Sequence, residues 1–151
     1  MASSAHRTRR LPAPLERVWD VLAGFDDIAA WAPSVVDHSS ALGGPDGGVG
    51  AARRIQSGRT TLVETVEGWD PPKHLSYRLD GLPRAVRRVT NEWRLEPDGD
   101  ATQATITTTV DVGPRPPHRL VERLVLRRMG KVSDGLLDGL ARHLAGPGGT
   151  P

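Results

Sequence analysis

The sequence predicts an α+β domain: a curved antiparallel sheet of about seven strands wrapped around one long C-terminal helix, with two short helices between strands 1 and 2. Three observations predict it. From residue 35 to residue 112 the chain reads as strand-length runs separated by Gly, Pro and Asp clusters, the pattern of consecutive antiparallel strands. Beyond Pro117 the apolar residues switch to steps of three and four, kept up over roughly six turns of helix. No repeat and no second domain interrupts this order. A bent sheet has one face to bury and the helix one stripe, so laying the helix across the concave face is the economical packing.

Each element has its own signal. Residues 5–11 alternate loosely as a first strand ending at Pro12. Pro14 suits the start of a helix, where its missing N–H would be unpaired anyway. Leu15, Val18, Trp19 and Leu22 then share one helical face. Gly24 closes that helix, and Phe25–Trp31 makes a second short one that stops before Pro33. Strands follow at 35–42, 51–57, 60–69, 74–79, 86–95 and 102–112. Between them lie the turn residues Gly43–Gly50, Gly58-Arg59, Asp70-Pro71-Pro72 and Pro97-Asp98-Gly99-Asp100. The final helix carries Val121, Val125, Met129, Val132, Leu136, Leu140 and Leu144 on one stripe. Gly130, Gly135 and Gly139 each lower its propensity by about 1 kcal/mol. Residues 1–9 are expected as a partly flexible arm, 10–145 as the domain and 146–151 as a flexible tail.

Composition narrows the function classes. At 151 residues the chain can bury a core without metals or disulfides, and its lack of cysteine excludes disulfides and thiolate chemistry. A charged fraction of 25% and a hydrophobic fraction of 37% fit a globular protein. No apolar run reaches the roughly 18–20 residues of a membrane span. The basic start, Met1–Arg10, leads into a proline-broken stretch rather than a secretory core, so a cytoplasmic location is expected. A net charge of +2 is too small to argue for nucleic acid. The five histidines lack zinc spacing, and Gly48-Val49-Gly50 is not followed by a phosphate-binding Gly-Lys-Ser/Thr. No metal and no cofactor is therefore expected.

Four motifs, in order, carry a family resemblance. They are Ala13-Pro14-Leu15-Glu16-Arg17-Val18-Trp19-Asp20-Val21-Leu22; Ile28-Ala29-Ala30-Trp31-Ala32-Pro33; Glu64 with Asp70-Pro71-Pro72 and Leu75-Ser76-Tyr77; and Trp93-Arg94-Leu95-Glu96-Pro97-Asp98-Gly99. Over roughly residues 10–145 the chain resembles the polyketide cyclase/dehydrase-like members of the SRPBCC superfamily, the START and birch-pollen-allergen-like group with the helix-grip fold. The resemblance implies a cavity between sheet and helix that takes an apolar small molecule. It also implies that Gly43–Gly50 serves as a flap over the cavity mouth. Some members cyclise or aromatise polyketides and others only bind lipids, hormones or quinones, so the fold leaves chemistry open.

Alternation of strand side chains then names the lining. With Tyr77 and Trp93 inward, Leu75, Leu79, Val89, Asn91, Ile106, Thr108 and Val110 point inward as well. By the resemblance, Val36, His38, Arg53, Ile55, Leu62, Glu64 and Val66 join them; Trp31, like Trp93, is expected as a pocket wall, and the helix adds Val121, Leu124, Val125, Val132 and Leu136. His38, Arg53 and Glu64 are the acid/base and oxyanion-stabilising candidates. A histidine there can move a proton near neutral pH, whereas a one-residue slip of register, allowed by the extra residue in Trp31-Ala32-Pro33, makes His38 an outward-pointing surface histidine. Arg53 and Glu64 either meet a ligand or bridge neighbouring strands as a cross-strand pair near the sheet rim. Asn91, Thr108 and Tyr77 can orient a carbonyl or hydroxyl in an apolar pocket.

Three functions follow: binding of a hydrophobic metabolite or lipid, polyketide cyclisation or dehydration in the same cavity, and a surface-mediated regulatory role. For the last, Arg119, Arg123, Arg127 and Lys131 recur every four residues as a basic ridge, with Arg115 and Arg128 close by. Such a ridge suits an acidic carrier protein or anionic lipid, or is simply a solvated edge. A monomer or a homodimer is compatible with all three.

Overall fold

Strand forms where the sequence alternates and helix where it steps by three and four. The computed structural model describes residues 2–84, 86–114 and 117–146. Its elements are β1 (Ala2–Leu11), α1 (Leu15–Ala23), a 3-10 turn (Phe25–Asp27) continuing into α2 (Ile28–Trp31), β2 (His38–Ala41), β3 (Ala52–Ser57), β4 (Thr60–Asp70), β5 (His74–Asp80), β6 (Arg88–Asp98), β7 (Ala101–Asp111) and α3 (His118–Ala145). The strands form one antiparallel sheet in the order β1-β7-β6-β5-β4-β3-β2. Sequential strands are hairpin neighbours throughout, and only β1 crosses, pairing with β7 along its whole length from Ala2↔Asp111 to Leu11↔Thr102. β1 thus begins at Ala2, three residues before the expected start, and takes in the described part of the stretch read as an arm. Of the expected tail, residues 147–151 lie outside the described residues.

The sheet is curved, with a bulge on β4 between Val66 and Gly68, a device that bends and twists a strand. The concave face is apolar in register: Tyr77, Leu79, Val89, Trp93, Leu95, Ile106 and Val110 are each at most 5% exposed. Trp19 and Trp69 meet edge to face at 5.1 Å, and Trp31 meets Trp93 at 6.1 Å, fixing α1 and α2 against the sheet. α3 packs along β1 and β7 and against α2.

The helical glycines explain how closely α3 approaches. A methyl group at Gly139 would sit 2.6 Å from the Trp31 carbonyl oxygen, and one at Gly135 2.6 Å from Val35 Cγ2. The helix accepts weaker propensity there in exchange for contact with α2 and the turn after it. Arg7 and Arg9 of β1 reach Asp134 and Asp138 of α3 at 3.2 and 3.1 Å, but these pairs are solvent-exposed and contribute little.

Candidate functional site

Because α3 leans over the β1–β7 side, it fills the concavity there and leaves a hollow over β3, β4 and β5. This cavity measures about 420 Å³. Its walls are Ile28, Val35 and Val36 from α2 and the turn after it, Ile55, Leu62 and Leu79 from the strands, and Leu82, Pro83 and Val86 from the β5–β6 loop. Val125, Met129, Val132 and Leu136 of α3 form the roof. Ser57, Thr60, Pro83 and Arg128, all exposed, mark the mouth between the β3–β4 turn, the β5–β6 loop and α3. Three polar side chains lie deeper: Glu64, Tyr77 and Asn91, at most 4% exposed.

These three belong to one connected network. Arg53 stands directly across from Glu64 in the β3–β4 register. Its Nε donates to Glu64 Oε1 at 2.7 Å, with Nη2 also 2.7 Å from that oxygen, and its Nη1 donates to the Phe25 carbonyl at 2.6 Å. The guanidinium also stacks 3.8 Å over the Phe25 ring and 4.9 Å from the Tyr77 ring. Both short contacts fall on Oε1, so Glu64 Oε2 remains able to accept a bond from a ligand. The Tyr77 hydroxyl accepts from Trp93 Nε1 at 3.2 Å, and Asn91 Oδ1 accepts from the Thr108 hydroxyl at 2.6 Å. Burial, reinforced by the Glu64 charge, raises the Tyr77 pKa above its ordinary 10.0, against the opposing pull of Arg53, Trp93 and Asn91. Tyr77 is therefore a neutral O–H group beside a carboxylate at the end of an apolar hollow.

Among the lining residues expected from the sequence, Val36, Ile55, Leu62, Glu64, Tyr77, Leu79, Asn91, Val125, Val132 and Leu136 border the cavity. Arg53 does not border it but holds Glu64, as a buried pair rather than a pair at the sheet rim. Trp31, Val66, Val89, Trp93, Ile106 and Thr108 are buried but lie outside the lining, in the packed part of the core. Two placements need correction. His38 is exposed, because its neighbour Ser39 pairs with inward Ile55 and adjacent strand residues face opposite ways. Val36 does point inward, but it sits in the turn before β2, so alternation cannot be carried from it to His38. Leu124 is 57% exposed, since Val125 and Met129 take the cavity-facing positions of α3.

The glycine-rich segment 43–50 is also misplaced as a flap. It contributes nothing to the lining, and Gly50 N donates to the Val66 carbonyl at 3.0 Å, away from the mouth. The β5–β6 loop takes that position instead. Its apolar Leu82-Pro83 and Val86, between two strands, were the available signal in the sequence. Among the described residues no group of three or more His, Cys, Asp or Glu could hold a metal ion, and no helix is long and apolar enough to cross a membrane.

A family model described as polyketide cyclase/dehydrase and lipid transport matches residues 3–145. The chain belongs to that family. Solved structures with the same Bet v 1-like, helix-grip fold include a protein from Nitrosospira multiformis, at 22% identity and TM-score 0.77, covering 92% of this chain and 94% of that one. The Zhui aromatase/cyclase of a Streptomyces species aligns at 20% identity and TM-score 0.72, over 99% of both chains. A point mutant of Thalictrum norcoclaurine synthase, in complex with a transition-state analogue, aligns at 16% identity and TM-score 0.75, over 96% of this chain and 95% of that one. No match is found among curated proteins.

Proposed function

We propose that this protein binds a hydrophobic small molecule, a polyketide-like metabolite or lipid, in the cavity between β3–β5 and α3. The observation that carries the proposal is a hollow of about 420 Å³ whose walls are aliphatic and whose deep polar groups, among the described residues, are Glu64, Tyr77 and Asn91. Apolar walls supply affinity through burial, at about 25 cal/mol per Å² removed from water. The inner polar groups supply orientation. The ligand this favours has a hydroxyl or carbonyl at one end, able to donate to Glu64 Oε2 or accept from Tyr77, and an apolar body reaching toward Val125 and Val132. Membership of a family described by both cyclisation and lipid transport supports a small-molecule pocket in either case.

The test is uptake of an apolar fluorescent probe, measured for the wild-type protein and for Leu79→Trp and Val132→Phe, which fill the hollow from opposite sides. The expected result is saturable uptake by the wild type and at least a tenfold loss in both variants, whose thermal melts stay cooperative. Equal uptake by all three proteins would mean that the probe binds elsewhere and would refute the pocket.

A second reading is favoured by one specific observation: the Glu64 carboxylate and the neutral Tyr77 hydroxyl face the same space. In a cyclase or dehydratase, Glu64 would remove a proton next to a substrate carbonyl, and Tyr77 would donate to the oxygen on which charge develops. Arg53 would hold Glu64 in position, and the walls would fold the substrate for ring closure. Glu64→Gln keeps shape and an acceptor for Arg53 but cannot act as a base; because it leaves the Arg53 charge unpaired, a cooperative melt and retained probe uptake must accompany the turnover measurement. If the pocket is catalytic, that variant loses turnover by a factor of about 10²–10⁴ while still binding; undiminished turnover would leave Glu64 with a binding role only.

A further inference from the structure

The outer face of the first half of α3 combines two features found together nowhere else among the described residues. Leu120 and Leu124 are 52% and 57% exposed. Arg119, Arg123, Arg127, Arg128 and Lys131 surround them, and none of these five cations makes an ion pair within the described chain. Arginines of β1, β3, β5 and β6 do find carboxylates, as with Arg9–Asp138, Arg53–Glu64, Arg78–Glu67 and Arg88–Glu67. Within residues 118–131 the single carboxylate is Glu122, and it is buried at 7% exposure. At 3.6 residues per turn the leucines lie mid-face, with Arg123 and Arg127 on one flank and Arg128 on the other. Arg128 also borders the cavity mouth.

We infer that this face docks on an anionic lipid surface, so that the cavity mouth opens against a bilayer. Long cationic side chains can hold their charges at the phosphate level while Leu120 and Leu124 enter the acyl boundary. A convex helix bearing two separated leucines suits a deformable interface. A folded acidic protein would need a groove cut to match it. The location also has a consequence for loading: a ligand scarcely soluble in water could pass from membrane to cavity beside Arg128 and Val125 without crossing bulk solvent. The docking itself does not depend on what the cavity holds, and vesicle binding reads it separately from probe uptake.

The test is flotation of the full chain with phosphatidylcholine vesicles, with and without phosphatidylserine. Expected is binding only to the anionic vesicles, weakened by salt. Each surface cation is worth about fivefold in affinity. Arg123→Glu/Arg127→Glu should therefore lower binding roughly 25-fold or more. Leu120→Ser/Leu124→Ser should lower it about tenfold. All four positions are exposed, so melts and probe uptake in solution should not change. Failure to bind anionic vesicles overturns the inference, as does binding indifferent to the leucine pair. Capture of a polyglutamate peptide without vesicle binding would assign the face to an acidic protein instead.

Discussion

Arg53 and Glu64 are buried at 3% and 4% exposure, and at that depth neither charge tolerates the loss of the other. Arg53→Met strands a carboxylate beside Tyr77 and should destabilise the fold by about 3–5 kcal/mol, read by denaturant unfolding. The double variant Arg53→Met/Glu64→Leu removes both charges and should recover most of that loss. Equal damage by single and double variants would show that the pair is not coupled. Tyr77 offers a cleaner readout, because it is the only tyrosine in the chain. Tyrosinate absorbance therefore reports this one hydroxyl. Its folded pKa is raised, so stability is unaffected by it at neutral pH and falls as pH climbs past the unfolded value of about 10. The native midpoint should lie above that of the denatured protein, and a bound ligand that accepts from the hydroxyl should raise it further. A native midpoint at or below the denatured one would place Tyr77 in contact with water.

At the scale of elements, the glycines of α3 distinguish packing from propensity. Gly139→Ala meets the Trp31 backbone, which cannot swing away, and should cost about 1–3 kcal/mol despite alanine's better helix propensity. Gly130→Ala meets only the guanidinium end of Arg7, 2.6 Å away, and should be neutral or stabilising by up to about 1 kcal/mol. Thermal melts of the two variants decide this; similar losses in both would refute the account of close approach at α2. Strands and helices were legible in the sequence because period 2 and period 3.6 are local properties. The inward set of β5 and β6 could be read for the same reason, from Tyr77 and Trp93 as anchors. His38 could not, because the turn holding Val36 breaks the alternation before β2 begins. Leu124 was misread because a step of three or four reaches either side of a stripe, and only tertiary packing shows which side faces the cavity.

For the whole molecule, where the hollow lies depends on the lean of α3 toward β1 and β7, which no local pattern encodes. The sequence offered an inward list covering the full sheet, and the structure divides it. Trp93, Ile106, Thr108 and Val89 are packed solid, while Ile55, Leu79 and Asn91 border open space. The roles of the β5–β6 loop and of Met129 follow from the same lean. Native mass spectrometry of the protein isolated from its own host tests the central claim most directly. The account predicts a discrete additional mass, released on denaturation and absent from Leu79→Trp and Val132→Phe. It would be contradicted by a bare polypeptide mass that stays bare after incubation with apolar hydroxyl- or carbonyl-bearing compounds, or by an adduct that both filled variants retain.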